Sequence, residues 1–195
     1  MVKELDCRGL SCPGPVVSTK KALEEMEEGA LRVLVDSSAA FENVKRFAQT
    51  WGCAVTGTTR ENDFVIEIRK ESSGPIEKVP LKASLKVTAY VNSDTIGVGP
   101  EELGRILMRA FLKTLPEVTP AVTALVFLNR GVHCAVEGSA FLETLRDLEC
   151  AGLEIHSCGT CLDYFGMMDK VKAGKVSNMY EILQILAGSD RVVRP

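Results

Sequence analysis

Two short motifs in this chain have the residue types and the spacing for thiol chemistry. Cys12 begins a Cys-Pro-Gly-Pro motif, and Cys158 and Cys161 are the ends of a Cys-Gly-Thr-Cys motif. An ionised thiol can attack a sulfane sulfur and hold it as a persulfide, and two neighbouring thiols can also form a disulfide. Accessibility and ionisation therefore decide which of the seven cysteines of the chain can react.

Cys12 is predicted to stand at the start of a helix, where its sulfur meets favourable electrostatics. Pro13 fits this position because the N–H groups of a first helical turn have no intrahelical partner to lose. Those unpaired N–H groups and the helix dipole stabilise negative charge, so we expect Cys12 to be largely a thiolate near neutral pH. Arg8 and Lys20 would add positive charge nearby. The alternative is that Cys12 is a small buried apolar residue, the usual fate of a free cysteine.

The second motif is predicted to lie at the carboxyl end of a parallel strand, where open α/β folds bind their ligands. Gly159 would allow the backbone to approach a neighbour or a ligand closely. Cys158 and Cys161 then have three interpretations, which are a redox dithiol, a persulfide acceptor beside a resolving thiol, and a pair of inert core residues. Asn129 follows another predicted strand, so it lies either in the same crevice or in a solvated loop.

The first half of the chain has the pattern of a small α/β unit. Strands are predicted at residues 5–7, 31–35, 54–58 and 64–69, with helices that begin at residues 11–15 and 36–38 and run to residues 26 and 51. Residues 60–63 are polar turn formers and suit a hairpin between the last two strands. An open sheet with both helices on one face satisfies this βαβαββ order.

Residues 71–83 lack hydrophobic periodicity and contain serine, glycine and proline, which is typical of a linker. The chain is thereby divided into domains at residues 1–70 and 84–195. In the second domain, strands are predicted at residues 85–91, 122–128, 153–156 and 191–193, and helices at residues 100–115, 139–151, 167–172 and 179–186. This alternation predicts βαβ units and a parallel sheet that helices cover on both faces.

The composition is that of an ordinary globular protein, with 46% hydrophobic and 25% charged residues. A net charge of -3 argues against nucleic acid or an anionic membrane as the main partner. No apolar run approaches the ~18 residues of a membrane span, and the N-terminus lacks the apolar stretch of a signal peptide, so a cytoplasmic location is expected. The single Cys-x-x-Cys motif argues against a structural zinc site, and neither a metal nor a cofactor is expected.

Residues 6–15, with the sequence DCRGLSCPGP, resemble the signature of the TusA/SirA family of small sulfur carriers. The resemblance covers the whole first domain and implies a two-layer α/β sandwich. It also implies that the domain passes sulfur from a cysteine desulfurase or a rhodanese to a downstream acceptor, with Cys12 as the carrier. The residues that would shape the carrier loop are Asp6, Gly9, Leu10, Pro13 and Pro15.

The second domain resembles the DsrE-like sulfur-relay domains in residues 127–132 (FLNRGV) and 158–165 (CGTCLDYF). This resemblance implies a three-layer α/β/α fold with a mainly parallel sheet, and assembly into a homo-oligomer. It also implies that the acceptor thiol is that of Cys158, with Cys161 as the second choice.

A TusA-like domain joined to a DsrE-like domain resembles the YedF-type sulfurtransferase-like proteins, which are associated with selenium metabolism. The resulting hypothesis is a sulfurtransferase-like persulfide carrier. A donor protein loads Cys12 with sulfur or selenium, and the cargo moves to Cys158 or to an external acceptor protein. Two alternatives stay open: a non-catalytic regulatory or oligomerising protein, and a thiol oxidoreductase that uses Cys158 and Cys161.

Overall fold

The computed structural model describes residues 2–60, 63–71, 85–118 and 121–195. The chain divides into two compact units, Met1–Pro80 and Leu81–Pro195. Of the linker predicted at residues 71–83, all but Glu71 lies outside the described residues. The domain limits 1–70 and 84–195 therefore stay a prediction, and each unit is described by itself.

The first unit is an open sheet with two helices, as predicted. Its elements in chain order are β1 (Val2–Asp6), α1 (Gly14–Glu25), β2 (Gly29–Val35), α2 (Ser38–Thr50), β3 (Ala54–Arg60) and β4 (Asp63–Lys70). The strand order is β1-β2-β4-β3, with β1 parallel to β2 and the other pairings antiparallel. Arg60 pairs with Asp63 across the predicted hairpin, whereas its turn residues 61–62 lie outside the described part of the chain.

Alternate residues of the central strands point into one core, as the period of two of a β-strand requires. The buried apolar residues of this core include Leu31, Val33, Val35, Ile66 and Ile68 from the sheet and Leu23, Val44 and Ala48 from the helices. Cys7 and Cys53 belong to the same core. Burial raises the pKa of both thiols, so neither is a ready nucleophile near neutral pH.

The second unit is built on a parallel sheet. Its strands are β5 (Val87–Val91), β6 (Val122–Phe127), β7 (Glu154–Cys158), β8 (Lys175–Ser177) and β9 (Arg191–Val193), and its helices are α3 (Glu101–Thr114), α4 (Leu142–Cys150), α5 (Gly159–Tyr164) and α6 (Met179–Ala187). The strand order is β8-β7-β6-β5-β9, and every pairing among these strands is parallel. All their carboxyl ends therefore lie at one edge.

Helices cover both faces of this sheet, which confirms the predicted three-layer arrangement. Leu125 and Phe127 of β6 pack in the core that contains Met108 of α3 and Leu145 of α4. The intervening Val126 points to the opposite face. There it packs in a second cluster that contains Ile182 of α6 and Cys158 of β7.

The prediction of a helix at residues 167–172 is wrong. The segment contains only a single 3₁₀ turn, Met168–Lys170, and Val171 then forms an antiparallel bridge with Val136. This bridge takes the segment away from helical geometry, and the chain continues into β8, a strand that the sequence pattern did not indicate. The strand is three residues long, too short for a periodicity to be recognised.

Gly131 permits a close backbone contact within the second unit. A Cβ atom at this position would lie 2.3 Å from the Val91 carbonyl oxygen. We therefore expect Gly131→Ala to destabilise the second unit by about 2 kcal/mol, because the backbone must move to remove the overlap. Urea unfolding followed by far-UV circular dichroism measures the change, with fluorescence of the single tryptophan, Trp51, as a reference for the first unit.

Gly99→Ala is the matched control, since a Cβ at Gly99 meets no atom within 4 Å. Equal unfolding midpoints for the two variants would contradict the close contact at Gly131.

Candidate functional site

The loop between β1 and α1 presents Cys12 to solvent. The Gly14 N–H donates to the Ser11 carbonyl at 2.8 Å, which closes a tight turn around Cys12 and Pro13. Pro13 is the N-cap of α1, so Cys12 lies two residues before the first helical residue. The exposure of Cys12 excludes the alternative that it is a buried core residue.

The helix start offers Cys12 fewer free N–H groups than the sequence suggested. The Gly14 N–H is bonded to Ser11, Pro15 has no N–H, and the Val17 N–H donates to the Pro13 carbonyl at 3.1 Å. Within the described part of the chain, this leaves the Val16 N–H as the first-turn donor without a hydrogen-bond partner. The stabilisation expected from several N–H groups thus reduces to that of one donor and the helix dipole.

Arg8 is held by two carboxylates rather than free to act on Cys12. Its guanidinium makes a bidentate contact with Asp6, at 2.9 and 2.7 Å, and reaches Asp63 at 3.0 Å. Arg8 holds the pKa of Asp6 at about 2, below its ordinary value of 3.8. Lys20 is also in an ion pair, 3.8 Å from Glu24. Arg8 and Lys20 were expected to add positive charge near Cys12, and their ion pairs with carboxylates offset that charge.

Gly9 and Leu10 complete the loop. Gly9 has φ +73°, the left-handed region that glycine adopts without strain, and its N–H donates to Asp36 Oδ2 at 2.7 Å. Asp36 lies in the segment 36–38 where the second helix was predicted to begin, but Ser37 caps α2 by accepting from the Ala40 N–H at 3.1 Å. Asp36 is thus a loop-shaping residue that the sequence analysis missed. Leu10 is 44% exposed, so an apolar side chain lies at the surface of this loop.

The two cysteines of the second unit differ in exposure. Cys158 is the last residue of β7 and the N-cap of α5, and only 1% of it is exposed. Cys161 lies in the first turn of α5 and is partly exposed. Its Sγ accepts a hydrogen bond from the Asn129 backbone N–H at 3.1 Å, and its side chain packs against the cluster that contains Cys158.

The surroundings of Cys161 act on its thiol in opposite directions. Burial raises the pKa of Cys161 and the adjacent Cys158 thiol raises it further, whereas the Asn129 N–H lowers it. The net result is a raised pKa. Cys161 is therefore protonated in most molecules at neutral pH, and its reactivity as a thiolate increases with pH.

Backbone geometry at two residues sets this arrangement. Asn129 has φ +48°, a left-handed conformation that asparagine tolerates better than most residues. In this conformation its N–H points to the Cys161 sulfur. Gly159 packs closely, since a Cβ there would lie 3.2 Å from a methyl group of Val176 and 3.3 Å from the Ser177 carbonyl oxygen. The structure thus brings Asn129, Gly159 and Cys161 to the same strand ends.

Further polar groups lie at the ends of β5 and β6. Arg130 approaches Asp94 at 3.0 Å and Glu101 at 3.3 Å. The contact with Asp94 is an ion pair and not a hydrogen bond. Asp94 Oδ1 therefore has no hydrogen-bond partner among the described residues. His133 contacts the Phe165 ring edge-on, with 4.7 Å between the ring centroids.

In residues 2–60, 63–71, 85–118 and 121–195, no cluster of His, Cys, Asp or Glu could hold a metal ion. In the same residues, no helix is long and apolar enough to cross a membrane.

The Arg8–Asp6 pair makes a testable electrostatic prediction. In the wild type Asp6 should remain ionised down to pH values well below 3.8, because its folded-state pKa is about 2. Arg8→Gln removes the bidentate partner, so the Asp6 carboxyl should titrate closer to its ordinary value. Carboxyl ¹³C chemical shifts followed against pH measure both midpoints.

Glu25 is the internal control, since its pKa is lowered by Lys3 and should not respond to Arg8→Gln. An unchanged Asp6 midpoint in the variant would show that Arg8 does not determine the charge of this loop. By linkage, the stability that Asp6 contributes is complete above its unfolded-state pKa and is lost as pH falls through about 2.

Comparisons with known proteins match the two parts of the chain to two different families. A family model described as sulfurtransferase TusA matches residues 3–70, and one described as DsrE/DsrF-like family matches residues 88–195. A "Putative sulfur carrier protein" of Methanocaldococcus jannaschii is 48% identical over 71 residues, which are 35% of this chain and 95% of that protein.

Two further relatives each match about a third of the chain. A "Putative sulfur carrier protein" of Archaeoglobus fulgidus is 35% identical over 75 residues, covering 36% of this chain and 97% of that protein. The solved SirA-like protein of Desulfitobacterium hafniense is 29% identical and covers 35% of this chain and 96% of that chain, with a TM-score of 0.33.

The resemblances drawn from residues 6–15 and 158–165 are thereby confirmed. The chain belongs to the DsrE/DsrF-like family through its second unit and carries a TusA sulfur-carrier domain in its first.

Proposed function

We propose that this protein carries sulfane sulfur as a persulfide on Cys12. The observation that carries the proposal is the contrast in exposure within the first unit. Cys12 is exposed on a built turn, whereas Cys7 and Cys53 are buried in the core and have raised pKa values. A partner protein can therefore reach only the Cys12 sulfur among the thiols of the described first unit.

The transfer step balances without an oxidant or a reductant. The Cys12 thiolate attacks the outer sulfur of a donor persulfide, a bond forms between the two sulfurs, and the donor cysteine leaves as a thiolate. The same exchange, with Cys12 as the leaving thiolate, passes the sulfur to an acceptor. The negative outer sulfur on Cys12 would lie near the Val16 N–H and the positive end of the α1 dipole. No cofactor enters this chemistry.

The partners that fit this chemistry are a donor protein of the desulfurase or rhodanese type and an acceptor protein. Leu10, exposed beside Cys12, would supply apolar contact area to either of them. Selenium could take the place of sulfur, because a perselenide would use the same thiolate and the same leaving step. We place the protein in the cytoplasm, where its free cysteines would stay reduced.

We further propose that the protein is a homo-oligomer assembled through the second unit. Several large apolar side chains are exposed on its helices, and they include Leu103, Ile106 and Leu107 on α3 and Met179, Tyr180 and Leu183 on α6. Exposed apolar side chains in such numbers are typical of surfaces that another protein surface covers.

Loading of Cys12 is tested with a cysteine desulfurase and cysteine as the sulfur source. The peptide that contains Cys12 should gain one sulfur atom by mass spectrometry after alkylation, and the gain should be absent from Cys12→Ser. Cys150→Ser is the matched control, because Cys150 is also exposed but lies on α4 of the second unit. This variant should load Cys12 as the wild type does.

An unmodified Cys12 after incubation with an active desulfurase, together with slow alkylation of Cys12, would instead support a non-catalytic regulatory protein. A rapid intramolecular disulfide without any persulfide would support a thiol oxidoreductase.

A further inference from the structure

The two cysteines of the second unit differ in exposure, with Cys161 as the outer thiol and Cys158 as the inner thiol. Cys161 is partly exposed, whereas Cys158 is 1% exposed and packs in a cluster with Val126 and Ile182. A thiol that a protein-sized donor cannot touch cannot receive sulfur directly. Sulfur that a donor protein delivers to this pair must therefore arrive first at Cys161, and Cys158 can take part only through it.

The contacts of the Cys161 sulfur decide what happens after loading. The Cys161 side chain packs against the cluster that contains Cys158, and its Sγ accepts the Asn129 N–H at 3.1 Å. In a Cys161 persulfide this Sγ becomes the inner sulfur, and the added outer sulfur is bonded beyond it. The sulfur within reach of Cys158 is thus the inner one, and which sulfur is attacked decides the product.

We propose that the Cys158–Cys161 pair releases the carried sulfur as hydrogen sulfide, and that the second unit is therefore a sulfide-producing end point rather than a further carrier. This inference rests on the proposed function in that Cys12 supplies the sulfur to Cys161. If the cargo is selenium, the same reaction releases hydrogen selenide.

The reaction has two balanced steps. In the first, the Cys161 thiolate attacks the outer sulfur of the Cys12 persulfide, and the Cys12 thiolate leaves. In the second, Cys158 attacks the Cys161 Sγ, and a disulfide bond forms between the two cysteines. The bond from Cys161 to the outer sulfur breaks, and that sulfur leaves as hydrosulfide with the proton of the Cys158 thiol.

Electrons balance within the pair. The two thiols lose two electrons when they form the disulfide. The sulfane sulfur accepts both electrons and becomes sulfide. A further turnover needs a dithiol reductant, such as a reduced protein dithiol, to reopen the disulfide. Burial of Cys158 serves this chemistry because it shields the resolving thiol from other persulfides and oxidants, while its contact with Cys161 is internal.

The test uses the full chain, loaded at Cys12 with a desulfurase and cysteine under anaerobic conditions. After the desulfurase and free cysteine are removed, the wild type should release sulfide and form the Cys158–Cys161 disulfide in equal amounts. Cys158→Ser and Cys158→Ala should release none and should accumulate a persulfide on Cys161. Cys161→Ser should retain the persulfide on Cys12, and Cys150→Ser should behave as the wild type.

Two outcomes overturn the inference. In the first, Cys12 loads normally but sulfide release is the same in the wild type and in both Cys158 variants. In the second, Cys158 itself gains the persulfide and no disulfide forms, which would make it an acceptor in a chain of carriers. In both cases the carrier function of Cys12 stands.

A separate arm detects failure of the carrier function instead. Cys12→Ser is loaded with inorganic polysulfide, which bypasses Cys12, and it should still yield sulfide and disulfide in equal amounts. If the desulfurase never loads Cys12 but this arm succeeds, the proposed function fails and the reaction at the pair stands. If this arm yields a persulfide without release, the inference is overturned.

Discussion

Parallel strand pairing fixes the geometry of both cysteine sites. In the first unit Asp6 at the end of β1 lies opposite Leu34 of β2, so the residues that follow the two strands emerge side by side. This is why the Gly9 N–H finds Asp36. In the second unit Phe127 of β6 lies opposite Ser157 of β7. The same rule then places Asn129 against Cys161, since both follow the ends of paired strands.

The chemical motifs and the order of most elements along the chain could be predicted from the sequence, because both depend on local patterns. The Cys-Pro-Gly-Pro motif indicated the start of a helix, and alternating elements indicated a parallel sheet in the second unit. Hydrophobic periodicity is a property of each segment alone. Element order therefore followed without knowledge of the tertiary contacts.

The partners of the site residues could not be predicted, because they come from distant parts of the chain. Arg8 meets Asp63, which is 55 positions away, and the Cys161 sulfur meets the Asn129 N–H, 32 positions away. The relative exposure of Cys158 and Cys161 likewise depends on α6, whose Ile182 covers the inner thiol. The family resemblance favoured Cys158 as the acceptor, whereas the contacts of the two sulfurs favour Cys161 as the thiol that a partner meets first.

The raised pKa of Cys161 has a consequence for its survival in the cell. Peroxide and other electrophiles react with thiolates, and a thiol that burial keeps protonated is a slow target for them. The pair would thus be spared from progressive oxidation to sulfinic and sulfonic acids while it waits for cargo. A persulfide held by a docked protein would gain from proximity what the protonated thiol lacks in intrinsic reactivity. The half-buried position of Cys161 would thus favour delivered sulfur over small oxidants.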